Sequence, residues 1–176
     1  MPPLSSSTIY DRLQDFETLV YTVGDGSPHG NDSKTDVNKL SRGNAHVAAE
    51  LVQNNPDALL FIAGGNDGER GARKRDDVPG SFPEAERMRL YIAQEFGGAL
   101  FQRTITDTDP VFRGRFKLSP SGNTPQNARN AAAVLAAGGM REVDVVAEVI
   151  HFSRVMGTLR EQLRRLGILN EMERMT

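Results

Sequence analysis

Ala58-Leu59-Leu60-Phe61-Ile62-Ala63-Gly64-Gly65 decides the fold: six consecutive apolar residues run without a polar interruption and stop on two glycines. Side chains alternate between the two faces of a strand, so a strand apolar at every position must be covered on both faces. Helices flanking a parallel sheet provide that cover. Upstream, Thr18-Leu19-Val20-Tyr21-Thr22-Val23 is equally β-favouring and halts at Gly24-Asp25-Gly26. Between the two runs, Val37, Leu40, Val47, Ala48, Leu51 and Val52 recur at helical spacing and predict a buried helix face over residues 37–53.

The same alternation continues downstream. Residues 66–80 are charged and glycine-rich, too polar to pack, and read as an exposed loop, either a lid or a solvated insertion. Ser81 and Glu84 then match a capping box, and Ala85, Met88, Ile92 and Phe96 predict the buried stripe of a helix starting near Phe82. Leu100 to Ile105 is expected as a third strand, with a polar loop from Asp107 to Gly122 behind it. Thr124 reads as a helix cap with Pro125 at the first helical position, and Gly138-Gly139 stops the alanine-rich helix that follows. Val143 to Ile150 is expected as a fourth strand, and Phe152, Val155, Met156, Leu159, Leu163 and Leu166 stripe a last helix. The order βαβαβαβα predicts an α/β, Rossmann-like three-layer sandwich with a mostly parallel sheet of four or five strands. Ligands bind such sheets beyond the carboxyl ends of the strands.

Composition bounds the function. A chain of 176 residues fits one domain, expected over residues 16–169 between a flexible N-terminus (1–15) and a short tail (170–176). Apolar residues make up 38% and charged residues 25%, and the formal charge is −2. That balance argues against nucleic acid or an anionic membrane as the main partner. With no cysteine, disulfides, thiolate metal sites and a cysteine nucleophile are excluded together. Neither a leader-like start nor an apolar run of membrane-spanning length is present, so a cytoplasmic location is expected. The three histidines are far apart in sequence, and His29 and His46 read as surface residues, so no metal site is expected.

In a parallel sheet every β→α junction is delivered to one edge, and here the junctions carry the polar residues. They are Asp25 and Gly26, then Arg42, Gly64 and Gly65, Glu84, the run Asn123-Thr124-Pro125-Gln126-Asn127, and His151 with Arg154. Glycines let a ligand approach the backbone, helix N-termini attract anions, and a histidine with a glutamate can move protons. The expected ligand is therefore a small, anionic molecule. No P-loop, no G-x-G-x-x-G fingerprint and no G-x-S-x-G elbow occurs.

The pieces RGNAHVAAEL from Arg42, a strand ending Gly64-Gly65, PEAERM at 83–88, GNTPQNA at 122–128 and HFSR at 151–154 resemble, in order and spacing, the YdcF/SanA/ElyC-like family. The resemblance spans residues 16–160 and implies a Rossmann-like domain of largely unassigned biochemistry. It also implies that S-adenosylmethionine, bound by one member, is a candidate ligand, and that polar site positions fall on Arg42, Glu84, Asn123, Thr124, Asn127, His151 and Arg154. Glu148 departs from the pattern, standing in the expected strand where the family has a small hydroxyl residue. Together these readings predict an enzyme acting on a phosphorylated or nucleotide-like small molecule, with His151 and Glu84 catalytic and the remaining junction residues binding. The alternative is a non-catalytic binder of S-adenosylmethionine or a related nucleoside. Plainer roles exist for single residues: Glu84 as half of a capping box, Thr124 as a cap, His151 as a capping or core histidine, and Arg154 in a surface ion pair.

Overall fold

The apolar runs become strands because only a doubly covered sheet can bury both of their faces. In the computed structural model, whose described residues are 7–24, 37–64, 84–118 and 123–168, β1 (Thr18–Val23) and β2 (Ala58–Ala63) are buried along their whole lengths. β3 (Thr104–Thr106) is short and buried, and β4 (Glu142–Val146) exposes Glu142 and Asp144, half-buries Val143 and Val145 and ends on buried Val146. The order in the sheet is β3-β2-β1-β4, and every neighbouring pair is parallel.

The helices are α1 (Ser7–Tyr10), α2 (Lys39–Gln53), α3 (Glu84–Phe96), α4 (Gly98–Phe101), α5 (Pro110–Phe116), α6 (Thr124–Gly138) and α7 (Val149–Arg165). Alternation along the strands divides the core in two. Leu19, Tyr21, Leu59, Phe61 and Ile105 pack against α5, α6 and α7, whereas Val20, Leu60 and Ile62 pack against α2 and α3. The Tyr21, Phe61 and Phe112 rings stack in sequence at centroid distances of 6.1 and 5.8 Å. Burying one such aromatic side chain stabilises the fold by about 1.5–3 kcal/mol. The three-layer α/β sandwich expected from the sequence is thus present, with four strands among the described residues.

Several elements differ from the sequence reading, each for an identifiable reason. Leu100 lies in the helical turn α4, and the third strand begins only at Thr104. The segment read as a polar loop contains α5, because Asp109 caps it with Oδ1 accepting from Val111 N at 2.9 Å, Pro110 starts it, and Phe112 anchors it in the core. The fourth strand ends at Val146 instead of Ile150. Glu148 takes the extended N-cap conformation of α7, and Val149 and Ile150, 92% and 81% exposed, are its first two residues. Asn123, not Thr124, caps α6, its Oδ1 accepting from Gln126 N at 3.0 Å. Leu40, Val47 and Leu51 are exposed, so the buried arc of α2 is Ser41, Asn44, Ala45, Ala48, Ala49 and Val52. Packing also starts before residue 16, since Tyr10 and Leu13 are core residues. The 66–80 loop lies outside the described residues.

At the N-terminal edge of the sheet, Arg103 acts as a clamp. Its Nη1 donates to Asn55 O at 2.9 Å and Ala58 O at 3.1 Å, and its Nη2 donates to Val52 O at 2.9 Å, tying the end of α2 to the start of β2. Hydrogen bonds from a charged donor contribute about 1.5–3 kcal/mol each and are not additive, so Arg103→Met should cost about 2–4 kcal/mol. Arg103→Lys should recover only part of that, because one ammonium cannot reproduce the planar fork. Urea unfolding with an unchanged slope is the measurement, and a loss confined to the slope would contradict it.

Asp144 on β4 generates a pH prediction. Its carboxyl is raised above the ordinary value, first by partial desolvation against the sheet and then by the neighbouring Glu142 charge. The native state therefore holds this proton to higher pH than the unfolded chain does, and stability falls as pH rises from the ordinary aspartate value through the raised one. Asp144→Asn should raise the melting temperature at pH 7 and leave it unchanged at pH 3. Thermal melts at the two pH values check this.

Candidate functional site

In a parallel sheet the helices that follow β1, β2, β3 and β4 in the chain, α2, α3, α5 and α7, start from the carboxyl edge. α6 joins them because its C-terminus leads into the start of β4. Strand connections leave β1 and β4 toward opposite faces, so the crevice between those two strands is the switch point of the sheet. Thr22 closes the floor beneath it, donating from Oγ1 to Val146 O at 2.9 Å.

Glu84 stands at the adjoining end of β1 and β2. Its Oε1 accepts from Ser41 Oγ at 3.1 Å, and its carboxylate fills the space in which a side chain on Gly24 would begin. Gly64 shapes the other wall. Its φ of 153° suits only glycine, a Cβ there would lie 3.4 Å from Glu84 Oε2, and its carbonyl accepts from Ala85 N at 3.0 Å. Gly24 thus leaves the room that the Glu84 carboxylate occupies, and Gly64 has a backbone conformation that side chains rarely adopt.

Behind this wall lies a buried polar network that the sequence reading passed over. Asp107, fully buried just beyond β3, accepts from Gly64 N at 3.2 Å through Oδ1 and from Asn130 Nδ2 at 3.0 Å through Oδ2. Asp107 therefore holds the Gly64 turn against α6. The Tyr21 hydroxyl is buried in the same region, without a hydrogen-bond partner among the described residues. Burial first, and then the Asp107 charge, push its ionisation far up, so it stays a neutral phenol. Asn44 Nδ2 donates to Val23 O at 3.0 Å and satisfies the end of β1. Arg87, only 4% exposed, lies one turn after Glu84. The signal for these residues was present: Ser41, Asn44, Arg87 and Asn130 are polar residues in register with the buried positions of their helices.

The remaining sequence candidates are spread along the edge. Asn123 caps α6, Thr124 is its first residue, and Asn127 lies on its next turn, its N–H donating to Asn123 O at 2.9 Å. His151 is half-buried in the first turn of α7, its N–H donating to Glu148 O at 2.9 Å, and Arg154 is exposed one turn later. Arg42 is exposed on α2, near Tyr91, on the opposite face of the sheet from Arg154. The described contacts bring Gly64 and Glu84 together and do not join either arginine to them. Asp25, Gly26 and Gly65 lie outside the described residues. Among the described residues, no group of three or more His, Asp or Glu side chains is placed to hold a metal ion. Nor is any helix among them long and apolar enough to cross a membrane.

Gly24→Ala should push the Glu84 carboxylate away from Ser41, because the new Cβ takes the space the carboxylate fills. The displaced group is the free end of a flexible side chain, so stability should change by about 1 kcal/mol or less. The carboxyl carbon resonance of Glu84 should nevertheless move, and Ser41→Ala should move it too. An unmoved resonance in Gly24→Ala would refute the contact.

Comparison with family models, curated proteins and solved structures returns no match to this chain, so its relationships rest on the features above.

Proposed function

We propose that the chain is an enzyme acting on a phosphorylated or nucleotide-like small molecule, bound at the carboxyl edge of the sheet. The observation that carries this reading is Glu84: a carboxylate held against two glycines and a serine hydroxyl, at the mouth of a parallel sheet. An ionisable group so fixed is pre-positioned for proton transfer or for orienting a substrate hydroxyl. Helix N-termini at the same edge present positive dipole ends, which favour an anionic ligand. His151 is assigned the acid/base role beside it, Asn123, Thr124 and Asn127 the contacts from α6, and Arg42 and Arg154 the outer anion contacts. The resemblance to the YdcF/SanA/ElyC-like family is part of the same proposal and points to the same edge. The second reading, a binder of S-adenosylmethionine or a related nucleoside without turnover, is favoured by the same Glu84, because a fixed carboxylate also accepts a pair of ribose hydroxyls.

A thermal-shift panel of nucleotides, sugar phosphates and S-adenosylmethionine identifies the ligand, and variants then separate the readings. In an enzyme, Glu84→Gln and His151→Ala should each lower turnover by about 10²-fold or more while affinity changes much less. Affinity lost in step with turnover favours the binder. Wild-type turnover and affinity in both variants would remove the site from this edge.

A further inference from the structure

The periodicity of α2 places Leu40, Val47 and Leu51 in a core, yet these residues are 49%, 48% and 39% exposed. Their position follows from helix geometry. His46 faces α3, with Nδ1 3.1 Å from Tyr91 Oη and its ring 5.0 Å from that of Phe96. At 3.6 residues per turn, Leu40, Val47 and Leu51 fall on the opposite flank. α3 lies over β2 and β3, while α2 lies over β1 and β2 and reaches β4, so this flank looks toward β4 and the open edge of the sheet. The residues of β4 on the same layer are Glu142, Asp144 and Val146, of which only Val146 is buried. Among the described residues, no helix covers β4 on this side.

Helices pack 8–10 Å apart, so a helix laid against this flank of α2 would stand over β4 and its edge. Leu40, Val47 and Leu51 stand seven and four residues apart and so share one flank of α2, beside the sheet-facing arc that holds Asn44. The floor is acidic: Glu142 accepts from Thr18 Oγ1 at 3.2 Å, and no Lys or Arg pairs with Glu142 or Asp144 among the described residues. Those carboxylates also disfavour a second copy joined strand to strand, because a two-fold pairing of β4 edges would set four like charges on one face. We propose that the α2 flank and the acidic face of β4 form the docking site for an amphipathic, basic helix of another polypeptide, its apolar stripe on α2 and its Lys or Arg residues over Glu142 and Asp144.

The test uses the full chain and two labelled synthetic peptides of about 18 residues, long enough to hold a helix when bound. Both carry leucines at 4-3-4 spacing, one flanked by lysines and the other by glutamates. At about 150 mM salt, where screening extends over about 8 Å, fluorescence anisotropy should show the lysine peptide binding at least about tenfold tighter. Val47→Gln with Leu51→Gln should weaken it by about tenfold or more, and Glu142→Lys with Asp144→Lys should invert the order of the two peptides. Both pairs are solvent-exposed, and the charge reversal leaves the apolar flank intact, so it stands even if the glutamine pair fails to fold. Methyl resonances of Leu40, Val47 and Leu51 should shift on binding. Equal binding to wild type and the glutamine variant, shifts centred on Val149 and Ile150, no binding at millimolar peptide, or a dimer of the chain that Val47→Gln dissociates would each overturn the proposal.

Discussion

The parallel pairing of β1 with β2 is the constraint from which most of the molecule follows. Thr18 through Val23 run in register with Ala58 through Ala63, and both strands are buried throughout. Two adjacent parallel strands need a crossover of a dozen residues or more, so the chain must lay α2 on one face. Having buried one face, it must bury the other, which α6 and α7 do. Each crossover returns the chain to the same starting edge, and the polar residues that end the strands therefore accumulate at the other. The concentration of Gly24, Gly64, Glu84 and Asp107 at one edge is thus a consequence of topology before it is a consequence of function.

That edge is held by buried polar groups as much as by apolar packing. Asp107 receives both the Gly64 amide and the Asn130 side chain in a region with no exposure. An unpaired buried carboxylate would be strongly destabilising, whereas one that accepts two hydrogen bonds fixes the geometry of its donors. The donors are a strand end of the sheet and a helix of the adjoining layer, so the network joins β2, β3 and α6 at one point. The Gly64 carbonyl in turn accepts from the N–H of Ala85, the residue after Glu84, which ties the start of α3 to the end of β2.

Much of the fold was legible in the sequence, and the exceptions share a cause. Fully buried strands announce themselves by composition alone, and β1 and β2 were delimited residue for residue. β3 has three residues, too few for any period to show, and it lies beside the turn that Gly97 and Gly98 introduce. β4 was drawn too long because Val149 and Ile150 look like strand residues; only the extended N-cap conformation of Glu148 reveals that the helix has begun. At the site, glycines and Glu84 were legible because their spacing to strand ends is short. Asp107 was not, because its pairing with Gly64 and Asn130 joins segments distant in sequence and leaves no local pattern around it.

The exposed residues of α2 and α7 show how far amphipathicity can mislead. A stripe of apolar residues says that a surface is to be buried, but not by what. On α7 the prediction held for Val155, Leu159 and Leu163, which α6 and the sheet cover, and failed for Phe152 and Leu166 at the two ends. On α2 the short alanines took the sheet-facing arc, because a helix lying close over β1 and β2 leaves little room there, and the larger Leu40, Val47 and Leu51 were displaced to the flank. Side-chain size as well as polarity decides which arc of a helix faces the sheet. Where bulky apolar residues lie next to an arc of alanines, the alanines mark the intramolecular contact, and the bulky stripe is left available for a separate one.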